Sequence, residues 1–324
     1  MGDTAKSHIA MLDARGLRAA LDVRAAVAAI EAALQAGLDP DDDLPRLSVP
    51  LQSGEFLLMP SEQRAATGLK VITVAPSNPE QDLPRIQGLY LLFDRATLTL
   101  RTLLDGAALT TLRTPAVTMA AIRPALERRT DPLHIVVFGT GPQAVAHVDA
   151  ARAVLAGTRD IATVTYVSRS GRAPASAPTA LTLRADGTDV EAALARAGLV
   201  MCATTARTPL FDSSLVGPQT VVAAVGSHEP DARELDAALL ARAQVIVESR
   251  ATALRECGDV VLAVAEGALD PDDLVPLRAV VAGQVAPASD RPIVFKSAGM
   301  SWEDLVLAEA ASASASASTP TSTI

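Results

Sequence analysis

The sequence predicts an α/β protein in which a doubly wound parallel sheet follows a mixed α+β domain, the latter formed by the N-terminal region and completed by the C-terminal helix. Three observations predict it. Up to about residue 115, short strand-like pieces succeed one another with Gly, Pro, Asn and Asp between them, the pattern of an antiparallel or mixed sheet. From about residue 134, strand-like and helix-like segments alternate, which specifies a parallel sheet covered by helices on both faces. Between the first of those strands and its helix stands a glycine-rich turn.

Taken in order, Leu17, Leu21, Val27, Ile30 and Leu34 recur at helical spacing among arginines and glutamate, so residues 17–36 are expected to form one amphipathic helix. Strands are expected at RLSVPL (from Arg46), EFLLMP (from Glu55), LKVITVA (from Leu69), GLYLLFD (from Gly88) and LTLRTLLD (from Leu98). The alternating half then reads HIVVFG, the helix AVAHVDAARAVLAG, ATVTYVS, ALTLRA, a helix near DVEAALARAG, LVMCATT, TVVAAVG, the helix ELDAALLARA and QVIVES. After about residue 282 come one further strand, PIVFKS, and the helix WEDLVLAEAA. Ser301 opens that helix with Asp304 three residues on, a capping-box-like start. The expected domains are 1–115 with 292–311, and 116–291. The Ser/Ala-rich end, 312–324, is low in complexity and is expected to be disordered.

Composition bounds the function. A chain of 324 residues, 49% hydrophobic, can bury the cores of about two domains. Its longest apolar runs fall short of the roughly 18 residues that a membrane span needs. The first residues lack a charged-then-apolar signal pattern, so a cytoplasmic location is expected. Cys202 and Cys257 lie in or beside apolar runs, where a small buried hydrophobe is expected. A net charge of −9 with scattered arginines disfavours nucleic acid, leaving small molecules as the expected partners. No metal site is expected.

The glycine-rich turn carries the first chemistry. In FGTGPQAVAHV, Gly139, Gly141 and Ala144 fill the pattern G-x-G-x-x-G/A, after an apolar strand and at the start of a helix. The first glycine permits the tight turn, the second admits a pyrophosphate, and the small third residue lets helix and strand pack closely. A Rossmann-type dinucleotide site is expected here, the alternative being a plain tight turn. The next strand ends in Ser168, Arg169 and Ser170, where an NAD-preferring site carries an acid for the ribose 2′-hydroxyl. A guanidinium among hydroxyls suits a 2′-phosphate. NADPH is therefore the expected cofactor, with NADH possible; the alternative for Arg169 is a solvated loop residue. The expected cofactor-binding set is Thr114, Gly139, Thr140, Gly141, Pro142, Gln143, Ala144, Ser168, Arg169, Ser170, Thr204, Val225 and Gly226.

Three cations stand out in the first half. Arg46, Lys70 and Arg113 sit among apolar residues, read there as strand residues, and only Lys6 and Lys70 represent lysine before residue 100. Burying a cation without a partner is unfavourable. Each must pair with a local acid, or together they must receive an anionic ligand. Among four histidines, His228 follows the strand TVVAAVG, and ligands of doubly wound sheets lie outside the carboxyl ends of strands. His8, His134 and His147 are expected to be terminal or packing residues, and Glu229 and Asp231 solvated or capping ones.

The segments GLKVITVAPSN, LLDGAALTTLRTPAVTMAA, GTGPQAVAH, VGSHEPDARELD and VFKSAGMSWEDL together resemble the ornithine cyclodeaminase and mu-crystallin family, in the family's order, from about residue 40 to 310. The resemblance implies a homodimer built through the non-Rossmann domain, an active site in the cleft between domains, and Arg46, Lys70 and Arg113 as binders of the substrate carboxylate. Family members include cyclodeaminases, alanine dehydrogenases and ketimine reductases. In the cyclodeaminases the position matching His228 is an aspartate and that matching Leu57 a glutamate, and this chain has neither carboxylate. An ammonium group in a closed site needs an acidic or strongly accepting partner. The resemblance therefore implies NAD(P)H-dependent reduction of a cyclic ketimine, Δ1-pyrroline-2-carboxylate or Δ1-piperideine-2-carboxylate. Lys70 and His228 become the catalytic candidates, with His228 the expected proton donor because imidazole titrates near neutral pH, the alternative for it being a loop-structuring role. Lys70 is the competing donor, its ammonium form expected to be favoured beside an anion. The alternatives are ornithine cyclodeaminase activity and a non-catalytic binding protein of the mu-crystallin kind.

Overall fold

The computed structural model describes residues 9–63 and 66–318; His8 and residues 319–324 lie outside them. Those residues fall into two units, one over 9–33, 42–113 and 300–318, the other over 34–41 and 114–299. The chain passes from the first to the second within helices rather than through loops.

In the first unit, β1 (Ala10–Leu12) leads to α1 (Ala14–Ala20) and α2 (Val23–Gln35). One helix was expected over this stretch; two form. Asp13 accepts from Gly16 N to start α1, and Asp22 accepts from Ala25 N to start α2, so the carboxylate at 22 begins a new helix where a continuous one would have left it interior. The strands β2 (Leu47–Leu51), β3 (Gly54–Glu62), β4 (Ala66–Val74), β5 (Ile86–Asp94) and β6 (Leu100–Asp105) form an antiparallel meander, with β1 added in parallel at the β6 edge. On β4 burial alternates strictly, placing Ala66, Gly68, Lys70, Ile72 and Val74 on the inner face. Helix α10 (Ser301–Ser318) packs on β3, β4 and β5. It continues through Ser318, so the expected disordered tail is helical over 312–318. Its Ala/Ser alternation is no obstacle, because Ala311 and Ser312 are buried, Ser312 bonds Thr102 at 2.9 Å, and Ser316 donates to the Ser312 carbonyl.

Helix α3 (Gly106–Leu126) carries the chain into the second unit. There β7 (Leu133–Phe138), α4 (Pro142–Leu155), β8 (Ile161–Ser168), β9 (Thr182–Arg184), α5 (Asp189–Leu194), β10 (Leu199–Cys202), β11 (Val221–Ala224), α6 (Ala237–Arg242), β12 (Gln244–Val247), α7 (Arg250–Glu256), α8 (Gly258–Ala265), β13 (Val275–Pro276), α9 (Leu277–Val281) and β14 (Ile293–Lys296) follow in turn. All eight strands are parallel, in the order β13-β12-β14-β11-β10-β7-β8-β9. The chain starts at β7, builds one way to β8 and β9, and returns to β10 on the other side, so the switch point lies between β7 and β10. Strand β14 was assigned with the first domain; it lies between β11 and β12 instead. Its four residues are buried, and a strand apolar on both faces has its place inside a covered parallel sheet. The domain boundary moves accordingly to Gly299/Met300, and residues 34–41 join the second unit.

Candidate active site

In the first unit, the strand register builds the site. Met59 pairs with Lys70 and Lys70 with Tyr90 across β3, β4 and β5, so these side chains share the inner face. Arg46 immediately precedes Leu47, whose partner Leu58 precedes Met59, which sets the half-buried Arg46 at the edge of the same row. Gly68 is required here: a Cβ on it would lie 1.9 Å from the Tyr90 hydroxyl.

Lys70 is wholly buried, and its Nζ donates to Asp304 Oδ2 at 2.6 Å and, more weakly, to Thr110 Oγ1 at 3.5 Å. Arg113 lies on α3, not on a strand as expected, because its segment LTTLRTPA continues an unbroken helix. It donates through Nη1 to Glu303 Oε2 at 2.8 Å and approaches Asp304 Oδ1 with Nε at 3.9 Å. Lys70 and Arg113 thus converge on two adjacent carboxylates in the first turn of α10, where the helix dipole favours negative charge. Asp43 braces that turn, accepting from Trp302 N at 2.8 Å and Ser61 Oγ at 2.7 Å, and burial raises its carboxyl to about 6. Burial is also the largest influence on Lys70, whose ammonium falls to about 8 although Asp304 pulls it upward. The sequence expectation had the anion prevailing; in a fully buried site desolvation prevails.

The second unit carries the glycine-rich loop. Gly139 follows β7 with φ +108°, and a Cβ there would sit 2.5 Å from the Ala203 carbonyl, at the switch point. Gly141 is the N-cap of α4, and a Cβ on it would meet no atom within 4 Å. Thr140 sits between the two glycines, Pro142 opens the helix, Gln143 is half-buried and Ala144 is fully buried against the sheet. The open side of Gly141 together with the first-turn N–H groups of a helix capped by no side chain fits a pyrophosphate. Thr114 is buried on α3, and His147 of α4 ties that helix down, with Nδ1 donating to the Gln143 carbonyl and Nε2 3.0 Å from Thr118 Oγ1. His134 is the second residue of β7 and bonds Thr163. At the end of β8, Ser168, Arg169 and Ser170 enter a turn closed by Gly171 at φ +68°; Arg169 is exposed and no acid occupies the strand end.

Beyond β10 and β11, buried charges hold the loops. Glu234 accepts from Thr204 N at 2.9 Å, Thr204 Oγ1 at 2.7 Å and Gly226 N at 2.8 Å. Burial raises the Glu234 carboxyl, with Lys296 opposing. Val225 and Gly226 are half-buried, and His228 is exposed two residues on. Glu229 and Asp231 do not cap a helix; they grip Arg207 from both sides, and α6 is capped by Asp236 instead. Cys202 and Cys257 are buried free thiols. Among the described residues no cluster of His, Cys, Asp or Glu could hold a metal, and no helix is long and apolar enough to cross a membrane.

The cations stand out in the sequence; their acid partners do not. Glu303 and Asp304 were visible as charges within an apolar helical pattern, and Asp304 was read as part of a cap; in the structure it binds Lys70. Lys296, one of three lysines in the chain, was visible by rarity alone.

A family model described as ornithine cyclodeaminase/mu-crystallin matches residues 8–318. The Delta(1)-pyrroline-2-carboxylate reductase of Colwellia psychrerythraea is 34% identical over 266 residues, covering 79% of this chain and 82% of its own. A Delta(1)-pyrroline-2-carboxylate reductase 2 of Burkholderia ambifaria is 32% identical over 322 residues, covering 95% and 96%. Among solved structures, the Thermococcus litoralis Delta(1)-pyrroline-2-carboxylate reductase in complex with NADH and L-proline superposes with a TM-score of 0.82 at 24% identity, over 95% of this chain and 98% of that one.

Proposed function

This chain belongs to the ornithine cyclodeaminase/mu-crystallin family, and on that footing we propose that it reduces a cyclic ketimine, Δ1-pyrroline-2-carboxylate or Δ1-piperideine-2-carboxylate, to the cyclic amino acid with NAD(P)H. The observation that carries the reading is the convergence of Lys70 and Arg113 on the inner face of the first unit's sheet, in a chain whose relatives above are named for this reaction. An ammonium has three donors. Asp304 and Thr110 engage two of those of Lys70, and the third is assigned to the substrate carboxylate, with Arg113 and Arg46 as its other partners. Glu303 and Asp304 neutralise the cations and fix their directions.

Gly139 to Ala144 hold the dinucleotide phosphates, Ser168 to Ser170 the adenosine ribose, and Thr114, Thr204, Val225 and Gly226 complete the cofactor site. When bound, the nicotinamide supplies a hydride to the imine carbon. His228 delivers a proton to the ring nitrogen, so that C=N becomes CH–NH with hydride and proton both accounted for. A second reading gives the proton to Lys70, and its lowered proton affinity, about 8, favours it. Arg169 at the β8 end, with no acid beside it, supports NADPH over NADH.

The apolar outer face of the first unit's sheet supports a homodimer. Leu47, Val49, Leu51, Phe56 and Leu89 are all exposed there, a contiguous patch of the kind that marks an interface. Two buried free thiols agree with a reducing cytoplasmic location.

Steady-state reduction of both ketimines with NADPH and NADH tests the proposal, against His228→Ala and Lys70→Ala. Conversion of ornithine with release of ammonia and no added NADPH would establish a cyclodeaminase instead. Tight NADPH binding without reduction of any imino acid would leave a binding protein.

A further inference from the structure

The loop that carries His228, residues 225–236, has no regular secondary structure, yet it is braced on both sides of the histidine. Its bracing is a chain of buried charges. Lys296, the last residue of β14, donates from Nζ to the Ser227 carbonyl at 2.7 Å and pairs with Asp259 Oδ2 at 3.0 Å, both side chains fully buried. Asp259, in the first turn of α8, accepts at Oδ1 from Glu234 N and Leu235 N, each at 2.8 Å. Glu234 reaches back to Gly226 N and across to Thr204. The main chain is therefore gripped immediately before His228, at Gly226 and Ser227, and again after it, at Glu234 and Leu235. Ser227 Oγ closes the loop on itself by donating to the Ala232 carbonyl at 2.9 Å. Gly258 beneath allows this approach: a Cβ there would lie 2.0 Å from the Ala232 carbonyl and 2.5 Å from that of Glu229.

Stability alone does not call for such an arrangement. Well-packed apolar residues of similar volume do as well as a buried ion pair or better, because desolvation offsets the Coulombic gain. What ions and hydrogen bonds supply beyond apolar packing is direction. We propose that Lys296 and Asp259 are positioning residues for the reaction: through the Ser227 carbonyl and the amides of residues 234 and 235 they hold the backbone so that the His228 imidazole is presented to the substrate. This rests on His228 being the proton donor, as proposed above.

Lys296→Met alone leaves a bare buried carboxylate and is expected to be too unstable to interpret. The informative variant is the double, Lys296→Met with Asp259→Asn. It removes both charges at nearly constant volume, and the introduced amide oxygen can still accept from Glu234 N and Leu235 N. Three quantities are measured: the thermal midpoint, the dissociation constant of NADPH, and kcat and KM for ketimine reduction, all repeated in the His228→Ala background. The expected result is a folded double variant with cofactor affinity and KM within about twofold of wild type. Its kcat is expected to fall roughly 10- to 100-fold, the penalty of a small misplacement of a catalytic group. In the His228→Ala background the same pair of substitutions is expected to lower kcat by less than about twofold, since both act through one side chain. An equal loss in both backgrounds overturns the positioning role, as does an unchanged kcat in the wild-type background. A His228→Ala enzyme with full kcat overturns the reading beneath it, and is told apart because it involves no change at 259 or 296.

Discussion

Lys70 and Asp304, 234 residues apart in the chain, meet at 2.6 Å with both side chains buried. The pair joins β4, one of the two central strands of the first unit's sheet, to the first turn of its last helix, so the geometry of the proposed carboxylate-binding site and the docking of α10 are one event. Removing Asp304 would leave Lys70 as an uncompensated buried charge, which destabilises by about 3–5 kcal/mol.

The proton affinity of Lys70 sets a pH limit. Its folded-state value is lowered from 10.5 to about 8, so an anionic substrate meets a cation below that pH and a neutral amine above it. The kcat/KM for ketimine reduction, which reports on free enzyme, is expected to decline as pH rises through about 8. In Lys70→Arg the part of that decline due to Lys70 is expected to disappear, because a guanidinium stays charged, leaving only the fall that the proton donor contributes. Stability has the opposite sign: between about 8 and 10.5 the unfolded chain binds the extra proton, so the Lys70 contribution makes the fold more stable as pH rises across that window. Urea unfolding of wild type and Lys70→Met at pH 7.5 and 10 reads the difference.

Gly139 and Gly141 are expected to fail differently. Gly139→Ala places a Cβ 2.5 Å from a carbonyl oxygen at φ +108°, and strain of this kind amounts to about 1–3 kcal/mol. Its thermal midpoint should drop. Gly141→Ala meets no atom of the protein, so its midpoint should hold while NADPH binding, followed by cofactor fluorescence, weakens by about tenfold or more.

Arg169→Ala addresses cofactor choice. A charge-assisted hydrogen bond contributes about 1.5–3 kcal/mol, and the exposure of Arg169 points to the low end. NADPH affinity should fall roughly tenfold and NADH affinity scarcely at all. Equal losses would remove the 2′-phosphate role.

The proposed homodimer is expected to depend on the outer sheet face. Val49→Asp or Leu89→Asp puts a charge into an exposed apolar patch without disturbing the inner face. Sedimentation equilibrium should show dimer for wild type and monomer for either variant. Dimers that persist in both would place the interface elsewhere.

Much of this molecule was legible in its sequence because the signals are local. The turn-bounded strand LKVITVA, the strand-turn-helix context of Gly139 and Gly141, and the βα alternation each lie within about 15 residues, and each became the element it specified. The cations Arg46, Lys70 and Arg113 were conspicuous for the same reason, since charge amid apolar neighbours is a local contrast. What the sequence did not disclose was where those charges go. Lys70 finds Asp304, Arg113 finds Glu303 and Lys296 finds Asp259 only after strands have paired and α10 has packed. The lowered proton affinity of Lys70 likewise exists only when folding strips it of water. Even β14 was misplaced for want of such information, since a four-residue apolar strand carries no mark of the sheet it will enter. The sequence by itself determined the α/β class, the strand-turn-helix setting of the glycine-rich loop and the charged residues in need of partners, but not helix α3, which carries Arg113 where a strand was expected. The tertiary structure decided the pairings, because burial and ion pairing depend on distances that only the assembled fold creates.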